Sequence, residues 1–466
     1  MNDLIAIGRS GVLAYRDALA GVSENVVNAN DDGFGRRSVR LNEQIATPGP
    51  MLLARNGASF NGVQSATVTR VWDQFRAASA WTANSDSSFA STRSQWLSTL
   101  ETTLDDGASG IGTKLTTIFT TGNQLAATPD DVTLRQTMLY AIDDAASTIS
   151  QTGANLAKVA ASVAQKAATL IDQTNNALNT LAKVNISLKT SPVGSSGRAA
   201  LEDQRDLLVG TISGNLGVDV TIEADGEAGL KLNDHGGPAL LSAGSTSPAI
   251  LGMATLADGS IKLNVTIGAT RDPTSATSGA ISALVDVSVT TADRRRQIDT
   301  LASDLTTSLN DWQNQGRTAA GVAGPPLLMG TTAATIKLVD PPPVAADIAA
   351  ADTGTPGAVG PPLVAAIPST PNGNLLALKA LRDDTGVEAN WRAIVSDQAL
   401  QVSSANTQAS TASTQRDNAY AALDETSGVD LDSEAADLMR FQQAYSASAK
   451  IIQTARETIQ DILNLF

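Results

Sequence analysis

The two ends of this 466-residue chain carry the feature that most restricts its fold, a stripe of apolar or small residues spaced alternately three and four apart. The first stripe consists of Ile5, Gly8, Val12, Tyr15, Leu19, Val22, Val26 and Ala29. The second consists of Leu438, Phe441, Tyr445, Ser448, Ile452, Ala455, Ile459, Ile462 and Phe466. A repeat of about 3.5 residues keeps such side chains on one face of a helix, which predicts a coiled-coil seam at each end.

Two interpretations of these stripes are open on the sequence alone. Each helix could pack on a globular core, or the two helices could pair with each other or with copies of themselves in an assembly. The terminal position favours pairing, because a lone helix of this length is marginal in water. Burying a Leu, Ile or Phe contributes about 1.5–3 kcal/mol, whereas ordering costs about 1–2 kcal/mol for every residue. We therefore expect that neither helix is stable by itself.

Composition excludes many functional classes. Lys plus Arg total 32 and Asp plus Glu total 47, so the formal charge of −15 argues against a nucleic-acid partner. The chain has no cysteine, which excludes thiol catalysis and thiolate metal sites. It has one histidine, His235, which is too few for a zinc protease motif. We expect no enzymatic activity, no cofactor and no metal.

The sequence shows no segment that should enter a membrane or be cleaved on secretion. No run of about 18 apolar residues is present, so no membrane span is predicted. The N-terminus carries Asp3 early, and Arg9 and Arg16 interrupt its apolar stretch, unlike a cleavable signal peptide.

The interior predicts a mainly α fold with a small antiparallel β region. We expect helices over 75–105, 113–127, 130–188, 199–215, 279–315 and 374–424. Between them, residues 217–268 alternate apolar and polar positions and contain turn pairs such as Asp225-Gly226 and Asp258-Gly259, which predicts hairpins. Ten of the 17 prolines lie between Pro325 and Pro371, which predicts an irregular, extended connection there.

These patterns predict a division into a terminal coiled coil, a long helical bundle domain and an outer β-hairpin domain. The predicted segments are 1–60 (terminal helix and following turn segment), 72–216 (helical rod), 217–278 (small β domain), 279–316 (returning helix), 317–373 (Pro/Gly-rich irregular segment) and 374–466 (C-terminal helices completing the rod and the coiled coil).

Four motifs invite a chemical interpretation, and in each case a structural one is preferred. Asp430, Asp432 and Glu434 lack the spacing of a calcium loop and suit the start of the last helix. The segment Gly107–Gly112 lacks the dinucleotide-binding spacing and reads as an interhelical loop. His235 lies beside two glycines, as in a solvent-facing turn. Arg36, Arg37 and Arg40 form either a solvated basic face or contacts to acidic neighbours.

The chain ends resemble the rod, hook and hook-associated family of axial proteins of the bacterial flagellum. At the N-terminus the resemblance rests on Asn25, Asn28, Ala29, Asn30, Gly33 and Phe34, although Asp32 stands where the family usually has proline. At the C-terminus it rests on Gly428, Val429, Glu434, Ala435, Leu438, Gln442, Gln443, Tyr445 and Ala447.

Interior blocks resemble the hook-associated branch of that family, at the hook–filament junction. The two most informative blocks are ALEDQRDLLVGTISGNLGVDV, residues 200–220, and LTTSLNDWQNQGRTAAGVAGPPLL, residues 305–328. Trp312 and Gln313 replace the more usual residues of the second block. The chain is short for this branch, which implies a reduced outer β domain.

The resemblance implies a structural protein of the junction layer between hook and filament, assembled through its terminal helices. It also implies self-association, contacts with the hook protein and the second junction protein, an export chaperone, and export by the flagellar type III pathway to an extracellular location without a cleaved signal peptide. The assembly interface is predicted at Ile5, Val12, Tyr15, Leu19, Val22, Asn25, Val26, Asn28, Asn30, Leu438, Phe441, Tyr445, Ile452, Ile459 and Ile462.

Some alternatives stay open at this point. The asparagines at 25, 28 and 30 could set the register between subunits, as a buried Asn does in coiled coils, or could merely end the first helix and open a turn. The protein could be another axial protein, such as the hook protein, a distal rod protein or the second junction protein. A secreted cell-wall hydrolase on a helical scaffold is the remaining rival, and no catalytic constellation supports it.

Overall fold

A computed structural model describes residues 2–31, 33–43, 62–233, 236–354 and 370–464, and the fold within them is mainly helical. The helices are α1 (Asn2–Val27), α2 (Gln74–Thr103), α3 (Ile111–Ala127), α4 (Val132–Thr190), α5 (Ser196–Asn215), α6 (Ala280–Gln315), α7 (Gly373–Thr385), α8 (Val387–Ser427) and α9 (Leu431–Leu463). His235, Phe466 and the predicted segments at 44–60 and 355–369 lie outside the described residues.

Short antiparallel strands occupy the described remainder. They are β1 (Arg37–Glu43), β2 (Val63–Arg70), β3 (Val218–Ile222), β4 (Ala228–Leu232), β5 (Ala239–Leu241), β6 (Ile250–Thr255), β7 (Ile261–Ile267), β8 (Thr270–Thr274), β9 (Leu328–Met329) and β10 (Lys337–Leu338). Strands β3–β5 and β6–β8 form two three-stranded sheets, and the other four strands form two hairpins. The fold class predicted from the sequence is thereby confirmed.

The body of the molecule is built around α4, which at about 1.5 Å per residue is a rod of roughly 88 Å. Asp131 caps its first turn by accepting hydrogen bonds from the backbone N–H groups of Thr133 and Leu134. Its buried side chains recur every three or four residues, for example at Leu156, Ala160, Val163, Ala167 and Leu170. Helices α3, α5 and α6 pack on α4, so the apolar stripe of the rod is covered within the chain. Elsewhere in the body, α2 packs along α8.

The proline-rich connection is held on the body by polar side chains. Asn310 Oδ1 accepts hydrogen bonds from the backbone N–H groups of Leu327 (2.8 Å) and Leu328 (3.0 Å). The Arg135 guanidinium donates to the carbonyl oxygen of Ile348 at 2.9 Å. These side-chain hydrogen bonds satisfy backbone groups that would otherwise be paired in a helix or a sheet. The described part of the connection therefore follows a fixed path, with β9, β10 and a 3₁₀ turn at Ala345–Asp347.

Two features of the fold differ from the sequence expectations. The predicted helix over 374–424 is two helices, because Gly386 adopts a left-handed conformation (φ +59°) between α7 and α8. The hairpin of β1 and β2 was not predicted, because β1 is mostly polar. The position of this hairpin depends on a tertiary contact between Val39 and Gly21 of α1. A Cβ atom on Gly21 would lie 2.8 Å from Val39 Cγ2.

Candidate assembly interface

Helices α1 and α9 form an antiparallel pair along most of their lengths. Gly8 faces Ile452 at one end of the pair, and Asn25 contacts Glu434 at the other. A Cβ atom on Gly8 would lie 2.6 Å from Ile452 Cγ1, so only glycine allows this separation of the helices. In the middle of the pair, the rings of Tyr15 and Phe441 lie 6.4 Å apart between centroids. The predicted pairing of the terminal helices is present.

The buried face of α1 is made mainly of small residues. Its buried positions are Gly8, Gly11, Ala14, Ala18, Gly21, Val22 and Asn25. Small side chains let two helix backbones approach closely, as Gly11 does against Ser448, where a Cβ atom would lie 2.5 Å from the serine Oγ. On α9 the buried residues are likewise small or polar: Glu434, Ser448 and Ala455.

The stripe predicted for α1 is divided between two faces of the helix. Gly8 and Val22 are buried, but Ile5, Val12, Tyr15 and Leu19 are only half-buried, and Val26 is exposed. The predicted stripe combined large apolar residues with Gly8 and Ala29, whereas close packing on α9 buries mainly glycine and alanine. On α9, Leu438, Phe441, Ile452 and Ile459 are half-buried, and Tyr445 and Ile462 are exposed.

The large residues of α1 form a second stripe, here called the outer stripe. It consists of adjacent pairs at intervals of seven residues: Ile5-Ala6, Val12-Leu13, Leu19-Ala20 and Val26-Val27. Residues seven apart lie on nearly the same face of a helix. Leu13 is 42% exposed and Val27 is 81% exposed, so the described residues leave much of this apolar heptad pattern uncovered.

Asn25 fixes the register of α1 against its neighbours within the chain. Its side-chain amide donates to the carbonyl oxygen of Arg37 (2.9 Å) and to Glu434 Oε2 (3.0 Å), and its Oδ1 accepts from the backbone N–H of Arg37 (2.9 Å). Arg36 Nε lies 2.6 Å from Glu434 Oε1, which compensates that buried carboxylate. Asn25 and Glu434 are each only 1% exposed, so the contact between these two side chains is buried.

The other two asparagines have different surroundings. Asn28 lies in the turn that closes α1, where its carbonyl oxygen accepts a hydrogen bond from the backbone N–H of Asp31 at 3.0 Å. Asn30 is exposed in the same turn. The turn interpretation suits these two residues, and a role for Asn25, Asn28 and Asn30 between subunits stays a prediction.

An ion-pair cluster joins the terminal pair to the helical body. Asp203 of α5 forms ion pairs with Arg37 (Nη2, 3.1 Å) and Arg70 (Nε, 2.7 Å), and it accepts a hydrogen bond from the backbone N–H of Gly35 at 3.1 Å. Asp206, one turn further along, is bound by Arg70 and by Arg205. Burial raises the pKa of Asp203, and the ion pair with Arg70 and the hydrogen bonds from Arg37 and Gly35 oppose that rise.

The arginines at 36 and 37 therefore contact acidic neighbours, one of the two interpretations of the basic patch, whereas Arg40 is exposed. The acidic residues at 430–434 begin α9, as predicted. Asp430 accepts hydrogen bonds from the Ser433 hydroxyl and from the backbone N–H groups of Asp432 and Ser433, which hold the pKa of Asp430 below its usual value. The sequence pattern indicated only that Glu434 lies at the start of the helix. In the structure Glu434 is also buried and accepts a hydrogen bond from Asn25.

Two family models match this chain. The model described as the flagellar hook-associated protein FlgK helical domain matches residues 97–328, which include the Asp203 block. The model described as the flagellar basal body rod FlgEFG protein C-terminal matches residues 421–465, which include α9. Together the matched segments cover more than half of the chain.

Curated relatives agree with these matches. Flagellar hook-associated protein 1 of Bacillus subtilis is 23% identical over 504 residues, spanning 98% of this chain and 96% of that protein. The chain is therefore similar, over nearly its whole length, to a member of the flagellar hook-associated protein 1 family. The Salmonella typhimurium member of this family is 28% identical over 234 residues, covering 50% of this chain and 41% of that protein. A solved FlgK structure from Burkholderia pseudomallei has a TM-score of 0.48 and 22% identity, over 54% of this chain and 46% of that chain.

Similarity to hook-associated proteins assigns a class of function to the chain. The chain is a structural component of the bacterial flagellum, a hook-associated junction protein, and its relatives do not favour the hook, rod or hydrolase alternatives. Within the described residues no helix has the length and apolar character needed to span a bilayer, and no cluster of three or more acidic or histidine residues is arranged to hold a metal ion.

Proposed function

We propose that copies of this chain assemble at the distal end of the hook into the layer that receives the filament, with the outer stripe of α1 contacting a neighbouring copy. The observation that carries this proposal is the uncovered heptad pattern on α1. Helix α9 covers the small-residue face of α1, but no helix among the described residues covers the outer stripe. A helix from another copy could bury this apolar surface.

The predicted interface residues have two roles in this proposal. Val22, Asn25, Phe441, Ile452 and Ile459 hold α1 and α9 together as one unit. Ile5, Val12, Leu19 and Val26 belong to the outer stripe and contact the neighbour. A patch that meets a different patch on the next copy generates a ring or a helical array, as a tubular layer requires.

The proposal includes further partners and a route. The hook protein lies below the layer, the second junction protein lies above it, and the chain acts without catalysis. Export proceeds through the flagellar type III pathway with a chaperone, to the extracellular flagellum. Terminal helices that gain much of their stability only from neighbours suit a chain that must pass an export channel before it folds.

A substitution in the outer stripe tests the proposal. In Leu13→Asp a charge replaces an apolar side chain that is 42% exposed, so the monomer should fold normally while junction assembly fails. Cells carrying this variant should export it and show hooks without filaments by electron microscopy. The matched control is Gln443→Asp on an exposed position of α9, which should assemble and swim normally.

Antibody labelling of isolated hook–basal bodies gives a second measurement. Antibody against the unaltered chain should decorate the distal end of isolated hook–basal bodies, and Leu13→Asp should remove that label. Normal filaments and unchanged label in the variant would show that the outer stripe is not a subunit contact.

A further inference from the structure

A cleft of about 1210 Å³ opens beside the ion-pair cluster, at the joint between the terminal helix pair and the body. One wall is formed by Ala29, Asn30, Asp31, Gly33 and Phe34 in the turn after α1. Another is the exposed face of α5 around Leu207 and Gly210. The last turns of α8 and the link into α9 complete it. The cleft therefore has walls from segments that are far apart in sequence, including those that carry the family resemblance.

The lining of the cleft is aromatic for a chain that has few aromatics. Of the seven Phe, four Tyr and five Trp residues of the chain, Phe34, Trp72, Trp81 and Tyr420 all line it. Leu207, beside them, is 52% exposed. Aromatic side chains in a concave surface are the usual anchors of protein–protein interfaces. The cleft thus combines an aromatic floor with polar walls, and it is large enough to receive part of a helix.

The rim of the cleft is acidic. Asp31, Asp424, Glu425 and Asp430 lie around it together with Arg416, which pairs with Asp417 at 2.7 Å. A second lining cation, Arg70, is already paired with Asp203 and Asp206. Glu425 is paired with Arg76, and Asp430 caps α9. Among the described residues neither Asp31 nor Asp424 forms an ion pair, so their charges are available to a basic partner.

The N-terminal end of α1 presents a basic and apolar surface, which complements the acidic rim and aromatic floor of the cleft. A shallow groove of about 450 Å³ on the outer face of this end is lined by Ile5, Ala6, Arg9, Ser10 and Leu13. It combines exposed apolar side chains with the cation of Arg9. The 18 residues from Arg9 to Val27 span about 27 Å of helix, so this groove cannot reach the cleft at the far end of its own α1.

We propose that the cleft receives the N-terminal half of α1 from a second copy of this chain. The apolar residues Ile5 and Leu13 pack on the aromatic floor, and Arg9 lies against Asp31 and Asp424 at the rim. The contact joins two different patches, head to tail, so it propagates around or along the assembly instead of closing a dimer. This inference rests on the proposed function and names the surface on which the outer stripe docks.

Cysteine cross-linking tests the contact directly, because the chain contains no cysteine. Two single-cysteine chains, Leu13→Cys and Leu207→Cys, are co-expressed in cells that assemble flagella, and isolated hook–basal bodies are treated with a short bismaleimide. Both positions are exposed, so the folds should be retained. We expect a band of twice the chain mass on denaturing gels, present only when both variants are present.

A matched pair controls for chance proximity. Leu400 is 70% exposed on α8, and its 16-residue separation from Arg416 places it about 24 Å along the helix from the cleft. Leu13→Cys with Leu400→Cys should give no more than one tenth of the cross-linked product. Equal yields from the two pairs would overturn the proposal.

A charge exchange gives a second, independent readout. Arg9→Glu in the Leu13→Cys chain should reduce cross-linking at least fivefold, and Asp424→Arg in the Leu207→Cys chain should restore it. Antibody label at the hook end separates the two hypotheses. Label without cross-linking refutes the cleft contact alone, whereas absence of label from the hook end refutes the proposed function itself.

Discussion

The terminal helix pair and the α4 rod show the same 3.5-residue spacing of apolar residues, but they bury different members of it. In the rod, Leu156, Val163 and Leu178 are fully buried, because helices of the same chain cover the stripe. In the terminal pair, the fully buried positions are mostly glycine, alanine and serine, and the large residues of α1 remain partly exposed. A body that buries its large side chains is stable in a single chain. Under the proposed function, neighbouring copies bury the large side chains that the terminal pair leaves exposed.

The largest effect should come from a cavity in the rod. Leu156→Ala removes a fully buried side chain and should lower the free energy of unfolding by about 2–5 kcal/mol in chemical denaturation. Leu13→Ala on the outer stripe should change it by no more than about 0.5 kcal/mol. Equal decreases in the free energy of unfolding would mean that Leu13 is as well buried as Leu156, which would contradict the difference between α1 and the rod.

Overpacking the small-residue face should separate the terminal helices without disturbing the body. Gly11→Leu places side-chain atoms where Ser448 already lies, and overpacking of this kind costs about 1–3 kcal/mol. Deuterium uptake should rise in α1 and α9 and stay unchanged in α4. The control is Arg9→Leu, an exposed position two residues away, which should leave uptake in both helices unchanged.

Loss of the Asn25 cluster should have a somewhat smaller, local effect. Asn25→Ala leaves the backbone groups of Arg37 and one oxygen of Glu434 without their partner, at a cost of about 1–3 kcal/mol. Exchange should accelerate at the C-terminal end of α1, in β1 and in the first turns of α9. Asn28→Ala should have little effect, and an equal response from both variants would contradict a special role for Asn25.

The smallest effect concerns pH at the start of α9. Because the folded state holds the pKa of Asp430 below its usual value, the stability from this cap is present above the unfolded pKa of about 3.9 and is lost as pH falls through the lower folded value. After correction for intrinsic exchange, amides of the first turn of α9 should lose protection below about pH 4. Asp430→Asn should abolish this pH dependence, whereas Asp432→Asn should preserve it.

Much of the fold could be predicted because local rules decide it. The helix predicted over 113–127 is found at Ile111–Ala127, and the one predicted over 130–188 is found at Val132–Thr190, since the Thr128-Pro129-Asp130 break and the Asp131 cap are local signals. The hairpins at Asp225-Gly226 and Asp258-Gly259 follow from glycines at φ +89° and φ +90°. The segment boundaries proposed from these patterns stay a prediction.

The candidate site was predictable in its location and not in its arrangement. The heptad pattern placed the interface on the terminal helices, but the burial of Gly11 and Ala18 in preference to Val12 and Leu19 depends on how closely α9 approaches. The pairing of Asp203 with Arg37 and Arg70 joins residues more than 130 positions apart, and no spacing rule connects them.

By itself, the sequence determined that both ends are amphipathic helices, that the interior is a helical rod with small sheets, and that the chain resembles flagellar axial proteins. Periodicity and turn chemistry act over a few residues, so they can be read along the chain. Only the tertiary structure decided which face of α1 meets α9, where Glu434 is neutralised, and that an aromatic cleft opens at the joint. Those outcomes depend on distances between segments that are remote in sequence, which only folding in three dimensions sets.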